Sequence, residues 1–132
     1  MTPPEEPLTP VEIESRLRRG ITILTQAQQQ LRAAREAETD AELAYRKAVW
    51  AASLSPDCPT VGRASGDATV AVRDAWVGQR TYPEWETYRR AEVVREAAQD
   101  HLRTTRDIIE VLRSLGASVR TAYDVAGHAG SR

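Results

Sequence analysis

The sequence contains no phenylalanine, a single cysteine (Cys58) and a single lysine (Lys47). One cysteine excludes a disulfide within the chain and fits a reducing compartment. There is also no apolar run long enough to cross a bilayer, and the opening MTPPEEPLTP is acidic and proline-rich, unlike a signal peptide. These features predict a soluble protein of the cytoplasm with no membrane association.

The sequence has few large apolar side chains and almost no net charge. The broadly hydrophobic residues make up 41% of the 132 positions, and many of them are alanines, which favour helix but bury little area. Charged residues make up 28% and nearly cancel, with a formal net charge of −1. The balance weakens any function that needs a basic surface overall. The preference for arginine over lysine fits a coding bias better than a need for bidentate recognition.

The first half of the chain has the pattern of one long helix. Thr9-Pro10-Val11-Glu12 forms a capping box with proline at the first helical position, so a helix should begin there. About 44 residues follow without a proline, on the order of 65 Å of helix at ~1.5 Å per residue. Gly20 is the one position where this helix could break. Its four-three apolar seam comprises Ile13, Leu17, Gly20, Leu24, Ala27, Leu31, Ala34, Glu38, Ala41, Tyr45, Ala48 and Ala52.

A second long helix is predicted from Tyr82 onward, because Thr81 and Glu84 repeat the capping pattern. Its seam has the same four-three spacing, and an arginine row runs beside it every seven residues. A helix with one apolar edge requires a partner helix. The seam comprises Thr105, Ile109, Leu112, Gly116, Val119 and Tyr123, and the row includes Arg106, Arg113 and Arg120.

Between the long helices, residues 53–66 contain two prolines and two glycines and should form a loop. Asp67 or Ser65 could cap a short helix after it; a strand over Thr69–Val72 would have no pairing partner. The predicted fold is all-α, an elongated, coiled-coil-like antiparallel helical hairpin with a short additional helix. Trp50, Trp76 and Trp85 should cluster near the turn as a hydrophobic knot. The predicted organisation is a disordered lead over 1–8, one helical domain over 9–125 with helices near 9–52, 68–79 and 82–125, and a frayed tail over 126–132.

No catalytic, metal or cofactor site is predicted. His101, His128 and Cys58 lie too far apart along the chain for metal-ligand spacing, and a Cys58–His101 nucleophile pair would join the turn to the middle of a helix. The segment from Gly62 to Gly66 lacks the lysine and preceding strand of a phosphate-binding loop. The interpretation is a protein that is not an enzyme.

Two surfaces remain as candidates for binding. The first is a seam for an oligomer or a protein partner, comprising Leu24, Leu31, Ile109, Leu112 and Val119. The second is an arginine row that binds either acidic residues or phosphates, comprising Arg103, Arg106, Arg113 and Arg120. Interleaved Asp107 and Glu110 favour pairing with carboxylates on a packed neighbour over nucleic acid.

The second half of the chain resembles small all-helical proteins encoded by phages and prophages of actinobacteria. The resemblance rests on Thr69, Val70 and Arg73, then on Leu102, Arg103, Leu112, Arg113, Ser114 and Leu115. Genes for such proteins often lie near recombination or replication genes, and the resemblance supplies no catalytic residue. It implies a phage or prophage protein in the host cytoplasm.

We therefore expect a non-enzymatic scaffold or adaptor that forms a homo-oligomer and binds a protein partner. A nucleic-acid-binding accessory factor in recombination or replication is the alternative, and a component of virion assembly is a third.

Overall fold

A computed structural model describes residues 8–64 and 66–130 of the chain. Within these residues the chain forms three α-helices and no strand: α1 (Pro10–Ser53), α2 (Val70–Arg80) and α3 (Tyr82–Ala129). A single β-bridge joins Val61 to Ala68 in the loop. The predicted all-α hairpin, in which two long helices pack against each other, is confirmed.

The start of α1 follows its sequence signature. The amide of Glu12 donates to Thr9 Oγ1 over 3.3 Å, and the amide of Thr9 donates to Glu12 Oε2 over 3.2 Å. This reciprocal pair satisfies two amides that the first helical turn leaves without partners. The helix then runs through Gly20 to Ser53 without a break. The predicted disordered lead lies outside the described residues except for Leu8.

The boundaries around α2 differ from the prediction. Its N-cap is Thr69, whose hydroxyl accepts from the amide of Val72 over 3.3 Å; Asp67 is not the cap, and Ser65 lies outside the described residues. Thr69 is the cap because its backbone lies in the β region, which directs Oγ1 at the amide of Val72. That amide belongs to the third helical residue and has no partner within the helix. The helix therefore begins at Val70, two residues later than predicted.

Thr81 does not form the predicted capping box with Glu84. It is 2% exposed, and its hydroxyl donates backward to the Val77 carbonyl over 2.8 Å. The Thr81 amide bonds to the same carbonyl, while the Thr81 carbonyl accepts from the amide of Trp85. Thr81 is thus both the last cap of α2 and the residue from which α3 begins, and its hydroxyl bonds to α2.

The far end of α3 extends past the predicted boundary at residue 125. Residues 126–129 are helical and solvent-exposed, so this stretch is not the predicted frayed tail. Alanine at 126 and 129 favours helix without packing, and the Asp124 carbonyl lies 2.7 Å from His128 Nδ1. Residues 131 and 132 lie outside the described part of the chain.

The chain divides into two compact units. We call Met1–Gln30 with Ala98–Arg132 the terminal unit and Leu31–Ala97 the turn unit. Each contains a part of α1 and a part of α3, so the predicted single domain over 9–125 is composed of two such units.

In the terminal unit, α1 and α3 approach closely at two glycines. A Cβ added to Gly20 would lie 3.2 Å from Ile109 Cγ1, and one added to Gly116 would lie 3.3 Å from Ile13 Cγ2. These two pairings run in opposite directions along the helices, which establishes the antiparallel arrangement. Glycine at both contacts leaves room for the isoleucine of the facing helix. The buried residues here are Ile13, Ala27, Leu102, Thr105, Ile109 and Gly116.

In the turn unit, the core between α1 and α3 contains few large apolar side chains. Leu31, Ala34 and Ala52 are buried, and the rings of Tyr45 and Tyr88 meet with centroids 6.1 Å apart. Each of the three apolar members occupies a predicted seam position of α1. The four-three spacing therefore identifies the packed face correctly.

The predicted tryptophan knot is wrong. Trp50 is 65% exposed and Trp85 is 40% exposed, and the ring partner of Trp85 is Tyr82, with centroids 5.5 Å apart. Trp76 instead lies under the Arg80 guanidinium, 5.0 Å from the ring centroid. The rings are dispersed because the nearby buried positions, including Ala52 and Thr81, hold small side chains.

The close approach at Gly116 gives a direct test of the hairpin. Gly116→Leu should destabilise the protein by about 1–3 kcal/mol, because the larger side chain must displace Ile13 or separate the helices. Gly127→Leu, in the same helix, is the matched control: nothing lies within 4 Å of a Cβ there, so stability should be unchanged or slightly higher. Urea unfolding followed by circular dichroism measures both. Equal effects of the two variants would contradict the close contact.

Candidate interaction surfaces

The predicted binding seam is occupied by packing within the chain. Leu31 is 5% exposed and Ile109 is 4% exposed, and Ile109 lies against Gly20 of α1. Leu24, Leu112 and Val119 are half-buried. An oligomer that uses these five residues would have to share a face already engaged, so their role as a partner seam stays a prediction.

A second apolar stripe, which the sequence analysis missed, lies on α3 in the terminal unit. We call it the outer stripe; its members are Ile108, Val111, Leu115, Ser118, Ala122 and Val125. Its spacing alternates three and four residues, as the seam does. The first five members each precede a seam position by one residue, so the stripe is rotated about 100° from the seam. The spacing is visible in the sequence, but the seam beside it has the same spacing and was taken as the interaction face of this helix.

The outer stripe faces solvent. Ile108, Val111, Leu115 and Val125 are 55%, 58%, 41% and 66% exposed, and Ser118 and Ala122 are exposed as well. A groove of about 330 Å³ is lined by Val111, Ser114, Leu115 and Ser118 with Glu110 at its side. Residues spaced i, i+3, i+4 and i+7 form the holes into which a facing helix inserts its side chains. The outer stripe therefore has the geometry of a helix-binding face.

The arginine row pairs with its own helix rather than with a neighbour. Arg103 lies 3.5 Å from Asp100, Arg113 lies 3.0 Å from Glu110, and Arg120 Nε donates to the Gly116 carbonyl over 3.3 Å. The expectation of pairing with carboxylates on a packed helix is thus not met for these three. Arg103 and Arg113 have acids three residues earlier on α3 that are nearer, and Arg120 bonds to a main-chain carbonyl four residues earlier. Arg106 is exposed and has no ion pair among the described residues.

The ion pair that does join α1 to α3 was not predicted. In the turn unit, Arg95 Nε donates to Glu38 Oε2 over 2.6 Å and Arg95 Nη2 donates to Glu38 Oε1 over 3.4 Å. The two side chains are 25% and 20% exposed. The hydrogen bond to Glu38 raises the pKa of the Arg95 guanidinium above its ordinary value. The only charged residue of the α1 seam thus has a matched partner across the hairpin.

A tyrosine next to this pair shares the acidic surroundings. A hydrogen bond to Glu92, together with burial and the charges of Glu42, Glu92 and Glu38, raises the pKa of the Tyr88 phenol. The Tyr88 ring also meets Tyr45 of α1. This cluster links the helices through polar and ring contacts where the apolar core is thin.

A cleft in the turn unit has several of its polar groups engaged internally. It has a volume of about 510 Å³ and is lined by Tyr45, Val49, Ser53, Arg73, Asp74, Val77, Gly78 and Thr81. The Ser53 and Thr81 hydroxyls donate to main-chain carbonyls, and Arg73 contacts Asp74 at 3.3 Å. These groups are therefore not directed together at a ligand position inside the cleft.

Among residues 8–64 and 66–130, no three His, Cys, Asp or Glu side chains come close enough to hold a metal ion. Cys58 is half-buried in the loop, with Sγ 3.9 Å from the Pro59 carbonyl oxygen. None of the described helices is both long enough and apolar enough to cross a membrane.

Comparison with protein-family models, curated proteins and solved structures finds no match to this chain. The resemblance to phage and prophage proteins therefore rests on its own residues and stays a prediction.

The Glu38–Arg95 pair can be tested by exchanging its charges. Glu38→Arg or Arg95→Glu alone should lower the urea midpoint clearly, since each places two like charges at a partly buried position between α1 and α3. The double exchange should recover most of the loss.

Exchange of Glu110 and Arg113, an exposed pair within α3, is the control and should change little. A double exchange at 38 and 95 that is as unstable as the two single variants combined would show that the pair is not coupled.

Proposed function

We propose that this chain is a non-enzymatic helical scaffold or adaptor of a phage or prophage, which acts in the host cytoplasm through protein–protein contacts and self-association. The observation that carries the proposal is the outer stripe of α3. It repeats the spacing of a coiled-coil seam on a face that α1 does not cover. The phage origin is supported by the resemblance in the second half of the chain.

The distribution of apolar residues supports a binding role over a purely internal one. Alanine and glycine fill much of the contact between α1 and α3, while several larger side chains face solvent. Contiguous exposed apolar surface on a soluble protein marks interaction sites more often than isolated exposed residues do. Ile108, Val111 and Leu115 are contiguous along one face, whereas Leu54 and Trp50 are not part of it.

The alternative function, binding of nucleic acid in recombination or replication, has one observation in its favour. Arg106 is exposed and has no acidic partner in the described part of the chain. The remaining members of the row donate to groups on α3 itself, which reduces the positive field that a phosphate backbone would meet. A component of virion assembly would use the same outer stripe, so it is a variant of the first proposal.

Charged substitutions in the outer stripe test the proposal. Wild-type protein should scatter light with a mass above that of one chain, and the mass should rise with concentration. Val111→Glu with Leu115→Glu should return it to the monomer, because two carboxylates would be desolvated in the contact. Arg113→Glu with Ala117→Glu has the same spacing on an exposed part of α3 away from the stripe and should leave association intact. Circular dichroism should show equal helix content in all three proteins. If the wild type and the variant with glutamates at 111 and 115 have the same mass, the proposal is wrong.

A titration with single-stranded DNA at two salt concentrations tests the alternative. We expect no binding that depends on salt. Binding that weakens steeply as salt rises would instead support the nucleic-acid function, since released counterions make phosphate contacts salt-dependent. That conclusion would also require Arg106→Glu with Arg113→Glu to abolish binding while helix content persists.

A further inference from the structure

We infer that the outer stripe binds the same stripe of a second copy of this chain in antiparallel orientation, with Val111 opposite Ala122 and Leu115 opposite Ser118. The inference rests on the proposed function and adds to it the identity of the partner, the direction of its helix and the register of the contact.

The order of side-chain sizes along the stripe carries the argument. Its first three members, Ile108, Val111 and Leu115, are large, and the next two, Ser118 and Ala122, are small. Two parallel copies would place serine against serine and alanine against alanine, which leaves voids, and large against large elsewhere. Interiors are packed without such voids, and facing layers fit best when large residues meet small ones.

Antiparallel copies satisfy this requirement at the centre of the stripe in a single register. A twofold axis between Gly116 and Ala117 places Leu115 opposite Ser118 and Val111 opposite Ala122. The same register brings Ile108 opposite Val125 at the two ends of the contact, where two large side chains meet. Each contact occurs twice, as the symmetry of a homodimer requires.

In this register Val111 and Leu115 of one copy each meet a small residue of the other, so the two large side chains have room to enter the contact. The stripe carries no charged member from Ile108 to Val125, so the contact buries no unpaired charge. Antiparallel helix dipoles add a weak attraction.

The length of the stripe sets the strength of the contact. Its 18 residues from Ile108 to Val125 extend roughly 27 Å at ~1.5 Å per residue. One helix face of that length falls at the low end of specific interfaces, which bury about 800 Å² per partner. The dimer should therefore dissociate on dilution.

Disulfide trapping tests orientation and register together. In a Cys58→Ser background, Val111→Cys and Ala122→Cys chains are prepared separately and then mixed under mild oxidation. The mixture should give a covalent heterodimer, because the inferred contact places these two positions face to face, within the Cα separation that a disulfide allows. The Val111→Cys chain alone should give almost none, since its two sulfurs would be separated by about 11 residues of helix, roughly 16 Å.

Ala117→Cys is the matched control: it lies close to the twofold axis along the helix but faces away from the stripe, and it should not cross-link. Efficient cross-linking of Val111→Cys with itself would show parallel copies and overturn the inference. Association that needs the stripe but yields no Val111–Ala122 heterodimer would overturn the register. Both of these results leave the proposed function standing. A chain that stays monomeric at every concentration overturns the inference and the proposed self-association together.

Discussion

The structure depends on the close approach of α1 and α3, which small residues on the shared seam permit. At Gly20 and Gly116 the facing helix contributes an isoleucine that occupies the space a Cβ would need. Ala27, Ala34 and Ala52 are buried along the same α1 face. Small side chains let helices approach closely but bury little area for each residue. Several larger apolar side chains of both helices remain exposed.

The outer stripe follows from this constraint. Ile108, Val111 and Leu115 each lie one residue before a seam position of α3, so they are rotated away from α1 while their neighbours face it. A chain with a larger core would draw such residues inward. Here they remain on the surface with helical periodicity, which is the pattern on which coiled-coil helices pack. The thin core and the exposed stripe are two results of the same choice of side chains.

Polar contacts compensate where the apolar core of the turn unit is thinnest. Glu38 interrupts the α1 seam, yet Arg95 of α3 meets it with two hydrogen bonds. The pair fixes the alignment of α1 against α3, because a shift of either helix along its axis separates the charges. Layers of alanine fix the alignment less well, because alanines can slide past one another at low cost. A polar seam residue of this kind fixes register at some expense of stability.

The helices and their packed faces could be predicted from the sequence because they follow from local rules. The capping box at Thr9 and the four-three spacing from Ile13 to Ala52 depend only on residues close in sequence. The predictions that were wrong depend on contacts between residues that are distant in sequence or on competition between hydrogen-bond partners. The Thr81 hydroxyl donates backward to the Val77 carbonyl instead of accepting from the amide of Glu84, and Trp50 and Trp85 stay exposed while Ala52 and Thr81 are buried.

The candidate site was predictable only in part, for a related physical reason. Two members of the arginine row, Arg103 and Arg113, contact acids on their own helix, which compete at short range with those of a neighbouring helix. The partner of Glu38 could not be named because the pairing of α1 with α3 is set by the whole contact. The outer stripe was readable in the spacing, but only the exposure of its residues distinguishes it from a core face.

The joint at Thr81 bears on how this chain can change length during evolution. One residue separates α2 from α3, and it is bonded on both sides, so an inserted residue there would turn one helix by about 100° relative to the other. Among its described residues the loop between Ser53 and Val70 is tied by the bridge from Val61 to Ala68, away from both helix ends, and longer loops cost little additional entropy. Insertions and deletions should therefore accumulate in that loop, while the spacing from Val70 to the end of α3 stays constant.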